Sequence, residues 1–298
     1  MKKSNLRIIL IGTVEFSKLA LLELIRLNAN VVGVITKSSS NFNSDHADLV
    51  PICINNAIPY KLVTNINDTE NLEWIKSIGP TVIFCFGWSS LLKKDLLKIP
   101  EMGVIGYHPA YLPKNRGRHP IIWALVLGLT TTASTFFFMD EGADSGDILS
   151  QEQVDIVYDD NARSLYTKLC SVAIKQIAIF LPQLELNSYP RIIQDNALAN
   201  YWRKRNFLDG KIDFRMSSNT IYNLVRALTH PYPGASIDYK GNAIVVWKLK
   251  EVDYKENNIE HGKVLDISNN QILIKTPDSA VLVVEHEFKE MPTIGEYL

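Results

Sequence analysis

The chain reads Val104-Ile105-Gly106-Tyr107-His108-Pro109-Ala110-Tyr111-Leu112-Pro113-Lys114-Asn115-Arg116-Gly117-Arg118-His119-Pro120. An apolar run, Ile121 to Leu129, follows, then Ser134 to Met139, then Asp140-Glu141-Gly142-Ala143-Asp144-Ser145-Gly146-Asp147. Hydrophobic periodicity and turn residues predict a strand, a loop, a helix, a second strand and a second loop. Ligands bind at the carboxyl ends of strands in open α/β sheets, so we expect His108 and Asp144 to share one pocket.

Each of these features also has an ordinary structural explanation. A His before Pro is often a turn residue that hydrogen-bonds to backbone, and acidic residues beside Gly are typical of solvated turns. Special residues are nevertheless dense here, because three prolines, two His and two Arg lie within about fifteen positions. That density favours a shaped pocket over a plain connection.

The stretch resembles the signature of the 10-formyltetrahydrofolate-dependent formyltransferases, which act on glycinamide ribonucleotide, methionyl-tRNA or sugar nucleotides. The family pattern is Asn-x-His-Pro/Gly-Ser-Leu-Leu-Pro-x-x-Arg-Gly, a helix, a strand, then Asp-x-Gly-x-Asp-x-Gly. The resemblance implies that His108 and Asp144 are catalytic and that 10-formyltetrahydrofolate is the formyl donor, with no metal. One position departs from the pattern, because Gly106 stands where the family has an active-site Asn.

Length and composition are typical of a globular protein with a substantial core: 298 residues, 46% hydrophobic and 21% charged. A formal net charge of −1 argues against an electrostatic nucleic-acid footprint. Three widely spaced cysteines, Cys53, Cys85 and Cys170, indicate reduced core residues of a cytoplasmic protein. The first apolar run is broken by Arg7, so we predict a strand there and not a signal peptide, and no stretch predicts a membrane span.

The N-terminal part has a β-α-β opening: a strand from Leu6 to Ile11, a helix from Phe16 to Leu27 and a strand from Val31 to Thr36. The turn Gly12-Thr13-Val14-Glu15-Phe16 is not the dinucleotide motif Gly-x-Gly-x-x-Gly, so we predict no nicotinamide cofactor. It resembles the family's Gly-Thr/Ser-Pro-x-Phe, with Val14 in place of Pro. We therefore predict an α/β fold whose N-terminal domain has a Rossmann-like, mostly parallel sheet.

Two further segments are candidate ligand loops. The polar segment Ser38 to Asp48 is too long for a tight turn, and is either functional or an exposed cap of the next helix. The strand Thr81 to Phe86 opens into Gly87 and Trp88, which suit a flat ligand, although Trp88 packing on the following helix is the alternative. The resemblance implies substrate contacts from the first segment, at Asn43, Ser44 and Asp45. It also implies folate contacts from the second and from the acidic loop, at Phe86, Gly87, Trp88, Asp140, Gly142 and Asp144.

The C-terminal part begins after an edge strand from Ile148 to Val157 and an amphipathic helix from Asn161 to Leu184, with its stop near Pro182. The Asn/Asp/Pro-rich segment Leu186 to Ala199 is a linker candidate. After a helix from Ser218 to Thr229, five short strand-like runs between 236 and 288 predict a small open β-barrel. We predict a formyltransferase catalytic domain over 1–200 and a β-barrel-like domain over 201–298.

Formyl transfer needs a site that holds both reactants, stabilises negative charge on the formyl oxygen and removes a proton from the amine. His108 can donate to that oxygen or relay a proton, and Asp144 can orient the imidazole or accept the proton through water. At Gly106, a water or a donor such as Tyr107 or Asn115 would have to replace the missing Asn. The remaining alternative is that the reaction is slow. Two other site types were weighed: a metal site at His108, Asp144 and Asp147, and a hydrolase using Ser89 or Ser145, which lack a Gly-x-Ser-x-Gly elbow.

The acceptor is predicted from the C-terminal charge and from one basic cluster. Residues 211–298 contain ten Lys or Arg against twelve Asp or Glu, whereas a tRNA-binding barrel needs a basic face. The cluster Arg203-Lys204-Arg205 suits a pyrophosphate, and an aromatic beside it can stack on a base, although a solvated basic patch is the alternative. The predicted substrate contacts outside the first loop are therefore Tyr107, Tyr201, Trp202, Arg203 and Arg205.

The resemblance, together with the C-terminal charge and the basic cluster, implies an N-formyltransferase acting on a nucleotide-linked amino-dideoxy sugar, such as a dTDP-amino sugar. The expected process is bacterial surface polysaccharide synthesis, including O-antigen and lipopolysaccharide, in the cytoplasm. We expect no nucleic-acid or membrane partner, and homodimerisation stays open. The alternatives are a methionyl-tRNA formyltransferase, a formyltetrahydrofolate hydrolase, or a non-catalytic family member that lost activity with the Asn.

Overall fold

The computed structural model describes residues 6–39, 45–256 and 258–298. Their contacts divide the chain into two compact units. The described residues of Met1–Gly117, Thr132–Val154 and Lys168–Tyr201 form the N-terminal unit, and those of Arg118–Thr131, Asp155–Thr167 and Trp202–Leu298 form the C-terminal unit. The functional division at residue 200 remains a proposal.

Helices and strands alternate through the first part of the chain, and strands dominate its end. The strands are β1 (Ile8–Ile11), β2 (Val31–Thr36), β3 (Tyr60–Leu62), β4 (Val82–Cys85), β5 (Val104–His108), β6 (Arg116–Gly117), β7 (Thr131–Phe138), β8 (Ile148–Asp155), β9 (Tyr201–Trp202), β10 (Ala235–Tyr239), β11 (Asn242–Val252), β12 (Val264–Ser268), β13 (Gln271–Lys275) and β14 (Ala280–His286). The helices are α1 (Glu15–Arg26), α2 (Val50–Asn55), α3 (Thr69–Ile78), α4 (Lys94–Leu97), α5 (Pro120–Val126), α6 (Ala162–Glu185) and α7 (Ser218–Leu228).

The N-terminal unit is built on a seven-stranded sheet in the order β3-β2-β1-β4-β5-β7-β8. The first five strands of that order are parallel, and β7 runs antiparallel to β5. All four residues of β1 and of β4 are buried, as expected for parallel strands covered on both faces. The predicted mostly parallel, Rossmann-like sheet is confirmed.

The two faces of this sheet have different cores. One face carries an aliphatic cluster that includes Ile9, Ile83 and Val104, and Trp88 and Met139 pack against it. The other carries a chain of aromatic contacts among Phe16, Phe84, Phe86, Tyr107, Phe136 and Phe180. Side chains alternate between faces along a strand, so Gly106 and His108 share a face and Tyr107 points to the opposite one.

Helix α6 ends at Glu185, one residue beyond the predicted end at Leu184, and contains Pro182 in its last turn, where a proline removes only one backbone donor. It is also long and apolar enough, by length and composition, to cross a membrane, contrary to the prediction that no stretch is. Half of its apolar window is buried within the protein, and buried residues recur at helical spacing from Leu165 to Leu184, as in a core helix.

The C-terminal unit contains a five-stranded antiparallel sheet in the order β10-β11-β14-β13-β12, against which α7 packs. Strands β10 and β12 lie at its edges, so the sheet is open, and the predicted C-terminal β-domain is confirmed. The three cysteines are free and buried. Burial raises the pKa of Cys53 to about 11 and that of Cys85 to about 12, which keeps both thiols protonated and unreactive.

Candidate active site

His108 ends β5 with its imidazole held between two oxygen acceptors. Its Nε2 lies 2.8 Å from the backbone carbonyl oxygen of Asn115, and its Nδ1 lies 3.6 Å from Oδ2 of Asp144. A carbonyl can only accept, so Nε2 carries a hydrogen in this arrangement. The residue is 4% exposed, so both contacts are shielded from water. The arrangement fixes the plane of the ring and leaves the carboxylate facing Nδ1.

Asp144 reaches His108 by a route that the sequence did not predict. We expected both residues at the carboxyl ends of parallel strands, but β7 is antiparallel to β5 and ends near the start of β5. The amide of Met139 donates to the carbonyl of Val104 there, at 2.7 Å. The loop after β7 must therefore run back along β5 to bring Asp144 to His108.

That loop depends on two unusual backbone positions. Asp144 has a φ of 54°, in the left-handed region, and its Oδ2 accepts a hydrogen bond from the amide of Gly117 at 2.8 Å. At Gly146, a Cβ would lie 1.7 Å from the carbonyl oxygen of Phe138, so only glycine fits. The glycines of the acidic loop thus allow the tight path that presents the Asp144 carboxylate.

Apolar atoms fill the space beside Gly106, where the family has its Asn. A Cβ built at Gly106 would lie 2.9 Å from Cγ of Met139 and 3.0 Å from Cζ of Phe137. The backbone amide is not a substitute donor: the Val104–Met139 hydrogen bond makes Gly106 and Phe137 a hydrogen-bonded pair in the antiparallel ladder. Space for an ordered water at this Cβ position is therefore absent.

Tyr107 and Asn115, the two side chains predicted to replace the Asn, each have another hydrogen-bond partner. The Tyr107 side chain is on the opposite face of the sheet, where its hydroxyl accepts a hydrogen bond from Ser134 at 3.2 Å and burial raises its pKa. The side chain of Asn115 is engaged with Asn200. Tyr107 was also predicted to contact substrate; its orientation into the aromatic core, set by strand alternation, argues against that role.

In the loop after β4, Phe86 and Gly87 are needed for packing, and Trp88 has a hydrogen-bond donor that a ligand could use. The ring of Phe86 is buried in the aromatic core. Gly87 has a φ of 67°, and a Cβ there would lie 2.1 Å from Cγ2 of Val14, so glycine is required. The indole of Trp88 packs on the aliphatic cluster, with Nζ of Lys37 4.7 Å from its ring centroid. Its buried Nε1 has no hydrogen-bond acceptor among the residues that the structure describes, so this donor is available to a ligand.

The remaining predicted ligand contacts of the N-terminal unit fall into three groups. Asp140 accepts from the Gly142 amide at 2.9 Å and from Ser145 Oγ at 2.7 Å, which is turn chemistry that shapes the acidic loop. The carbonyl of Asp45 accepts from the Glu15 amide at 3.0 Å, so Asp45 lies beside the turn after β1. Asn43 and Ser44 lie outside the described residues.

Residues near 194 contribute to the site although their segment was predicted to be a linker. Gln194 is 5% exposed and donates from Nε2 to the carbonyls of Asp144 at 2.9 Å and Gly146 at 2.6 Å. Its Oε1 accepts from the guanidinium of Arg116, which also donates to the hydroxyl of Tyr201 at 3.0 Å. No local pattern distinguishes a Gln that serves a distant loop, so only tertiary structure identifies this one.

The predicted basic cluster is largely satisfied by contacts within the C-terminal unit. Arg203 forms an ion pair with Asp209, and the guanidinium of Arg205 lies 4.7 Å from the ring centroid of Trp123 and donates to the carbonyl of Asp209. The ring of Trp202 stacks on Trp123 at 6.4 Å. These contacts give the cluster a structural role, which weakens the prediction that Arg203 and Arg205 bind a pyrophosphate.

The Arg203–Asp209 pair predicts an acid dependence of stability. The Arg203 hydrogen bond lowers the pKa of Asp209, so the pair stabilises the fold fully above the unfolded Asp pKa of about 3.9 and loses its effect as the pH falls further. Arg203→Ala should therefore lower the urea midpoint at pH 7, and the difference from wild type should shrink as the pH falls below about 3. Lys255→Ala, which breaks an exposed pair with Asp253, is the control and should leave the urea midpoint unchanged both at pH 7 and at low pH. A pH-independent deficit in Arg203→Ala would contradict this account.

Among residues 6–39, 45–256 and 258–298, no group of three or more His, Cys, Asp or Glu side chains is arranged to hold a metal ion. The alternative metal site included Asp147, but its Oδ2 accepts from Nε of Arg191 at 3.1 Å. The four acidic residues of the loop are thus divided between the imidazole, a turn, Arg191 and Lys94, which pairs with Glu141.

Comparison with known proteins gives two family matches and similar full-length relatives. Residues 6–179 match the formyl transferase family model, and residues 208–297 match the model of the formyl transferase C-terminal domain. Methionyl-tRNA formyltransferase of Clostridioides difficile (strain 630) is 30% identical over 299 residues, covering 98% of this chain and 96% of that protein. The bifunctional polymyxin resistance protein ArnA of Wigglesworthia glossinidia brevipalpis is 34% identical over 96% of this chain, which spans only 43% of ArnA.

Among solved structures, an N-formyltransferase from Helicobacter canadensis superposes with a TM-score of 0.74 at 19% identity. The match covers 94% of this chain and 99% of that one, and that structure is a complex with folinic acid and dTDP-3-aminofucose. At this identity the similarity establishes a shared fold.

Proposed function

The chain belongs to the formyl transferase family, and from that premise we propose that it transfers a formyl group from 10-formyltetrahydrofolate to the amine of a nucleotide-linked amino-dideoxy sugar. Members of this family are enzymes that transfer formyl groups. The observation that carries the proposal is the His108–Asp144 pair, a buried imidazole whose Nδ1 faces a carboxylate at 3.6 Å.

His108 is proposed to stabilise the charge that develops on the formyl oxygen. Its Nε2–H exchanges the Asn115 carbonyl for that oxygen, while the Asp144 carboxylate faces Nδ1 and holds the ring in place. The same pair can take up the proton that the amine loses. With apolar atoms beside Gly106, His108 carries this role without the amide that the family has at that position.

The loop after β4 is proposed to bind the formyl donor. The 10-formyltetrahydrofolate supplies the formyl group when it is bound. Trp88 offers a buried Nε1–H without a protein acceptor and an apolar ring surface, which fit a flat heterocycle with acceptor atoms. Gly87 would contribute its backbone. Phe86 stays a proposed contact, although its ring is buried, its amide donates to the Ile11 carbonyl and its carbonyl accepts from Ser17 Oγ. Asp140 and Gly142 keep the facing acidic loop in shape.

The acceptor is proposed to be a sugar nucleotide because the C-terminal unit lacks surplus positive charge. Five of the ten Lys and Arg residues between 211 and 298 are paired with a neighbouring carboxylate, as Lys211–Asp238, Arg215–Asp213, Lys240–Glu290, Lys248–Glu285 and Lys255–Asp253. Arg226 and Lys275 are buried and donate to backbone carbonyls. A tRNA ligand needs a row of available cations for its phosphates.

Tyr201 is the best-supported of the predicted nucleotide contacts. Its side chain is 61% exposed, and its hydroxyl is fixed by Arg116, so an immobilised ring is available to stack on a base. Asn43, Ser44, Asp45 and Trp202 stay proposed contacts. The complex of the Helicobacter canadensis enzyme with dTDP-3-aminofucose supports a dTDP-linked acceptor. Such a product would serve bacterial surface polysaccharide synthesis in the cytoplasm, and a homodimer remains a proposal.

A second candidate, methionyl-tRNA formyltransferase, is supported by the 30% identity to the Clostridioides difficile protein. The deciding experiment incubates the protein with 10-formyltetrahydrofolate and, separately, dTDP-3-aminofucose, charged methionyl-tRNA or buffer. Release of tetrahydrofolate and the mass of the acceptor are measured. We expect transfer to the sugar nucleotide alone. Formyl transfer to tRNA would contradict the proposal. Release of tetrahydrofolate in buffer at the same rate would contradict it and favour the hydrolase. No release of tetrahydrofolate in any arm would contradict it and favour the non-catalytic protein.

A further inference from the structure

Arg116 and Gln194 form a buried network beneath the His108–Asp144 pair, and they are 1% and 5% exposed. Arg116 donates from Nε and Nη2 to Oε1 of Gln194, at 3.2 and 2.8 Å. It also donates to Oδ1 of Asn196 at 2.9 Å and to the hydroxyl of Tyr201. All these acceptors are neutral, so within the described part of the chain the buried guanidinium is satisfied by hydrogen bonds to uncharged groups. Such a charge is expensive to bury, and a requirement for geometry explains its presence better than stability does.

The orientation of Gln194 follows from its neighbours. A guanidinium has only donors, so the side-chain oxygen of Gln194 must face Arg116 and its NH₂ group must face the other way. That NH₂ group uses both hydrogens on the acidic loop, one on the carbonyl of Asp144 and one on the carbonyl of Gly146. Gln194 thus clamps the backbone on either side of Ser145.

The backbone conformation of Asp144 has a cost in free energy, so the residue needs such a clamp to keep it. A non-glycine residue in the left-handed region is strained, and it persists only where neighbours hold it. In this conformation Oδ2 of Asp144 meets both the Gly117 amide and the imidazole of His108. Relaxation of φ would move the carboxylate away from both.

The segment Asn115 to Gly117 contacts both His108 and Asp144. Its first residue accepts from Nε2 of His108, its last donates to Oδ2 of Asp144, and the side chain between them holds Gln194. We propose that Arg116 and Gln194 are positioning residues that set the distance between the Asp144 carboxylate and the His108 imidazole. Their effect on turnover rests on the proposed function, but their effect on geometry does not.

The test compares Gln194→Ala and Gln194→Glu with Gln176→Ala. Glu keeps an oxygen for Arg116 but cannot donate to the two loop carbonyls. Gln176 is the matched control: it is 1% exposed and donates from Nε2 to the Ser134 carbonyl and to Ser150 Oγ, away from Asp144. We expect kcat to fall by about tenfold to a hundredfold in both Gln194 variants with the KM for the formyl donor unchanged. Gln176→Ala should keep wild-type kcat below its unfolding temperature.

Hydrogen exchange of the Gly117 amide, measured by NMR on the free protein, provides a readout independent of activity. That amide donates to Asp144, so its protection should fall by about tenfold in both Gln194 variants and stay unchanged in Gln176→Ala. Unchanged Gly117 protection in Gln194→Ala would overturn the proposal, as would equal loss of kcat in Gln176→Ala. A wild-type protein without formyl transfer would refute the proposed function, and the exchange rates would still decide the clamp.

Discussion

His108→Asn is expected to lower kcat about a thousandfold while binding of the formyl donor and the unfolding temperature stay close to wild type. The imidazole of His108 has both a donor hydrogen on Nε2 and a carboxylate facing Nδ1. Its proposed contribution is made as charge develops in the reaction, so the loss falls on turnover and not on ground-state binding. Single-turnover rates and equilibrium binding of folinic acid measure the two effects separately.

The matched control for this variant is His286→Asn. Nε2 of His286 also lies 2.8 Å from a backbone carbonyl, that of Asn270, so it reproduces one contact of His108 without the carboxylate. This variant should keep wild-type turnover. Asp144→Asn should resemble His108→Asn, and the double variant should lose less than the two single losses combined, because the residues act as a unit. Near-wild-type turnover of His108→Asn would show that His108 is a turn residue without a catalytic role. Additive losses of turnover in the double variant would show that His108 and Asp144 act independently.

The sequence was sufficient for the sheet because its strands are short apolar runs with clear ends. Strand β2 has the predicted bounds, Val31–Thr36, since the polar residues Asn30 and Lys37 limit the run at its two ends. The orientation of β7 was not predictable in the same way. The residue pattern of Thr131–Phe138 suits a strand in either direction, and only its pairing with β5 in the structure shows that it is antiparallel.

The site was partly predictable for a related reason. His108 and Asp144 stand out because they are ionisable residues beside apolar strands, and the resemblance to formyltransferases implied that both are catalytic. Gln194 carries no such signal, since its role depends on a contact with a backbone fifty residues earlier in the chain. The charges of Arg203 and Arg205 suggested a ligand, but sequence does not show that Asp209 and Trp123 already satisfy them.

Gly106→Asn is expected to destabilise the protein by about 2 kcal/mol and to reduce formyl transfer below the wild-type rate. The new side chain would enter space occupied by Cγ of Met139 and the ring of Phe137. Phe137 is 3% exposed and packs with Leu112 and Ile148, so its ring has little room to move aside. Urea unfolding and initial rates of tetrahydrofolate release measure the two effects.

A second substitution separates crowding from chemistry. Phe137→Leu removes ring atoms beside Gly106, so Gly106→Asn combined with Phe137→Leu should recover much of the lost stability, since coupled core neighbours are not additive. With room for its amide, the Asn can donate to the formyl oxygen beside His108, and one such donor is worth about a hundredfold in rate. The double variant should therefore transfer faster than Phe137→Leu alone. A Gly106→Asn protein that is as stable as wild type and more active would show that the space beside Gly106 admits a donor without repacking. In that case the apolar contacts of Met139 and Phe137 would not be what excludes the Asn from this chain.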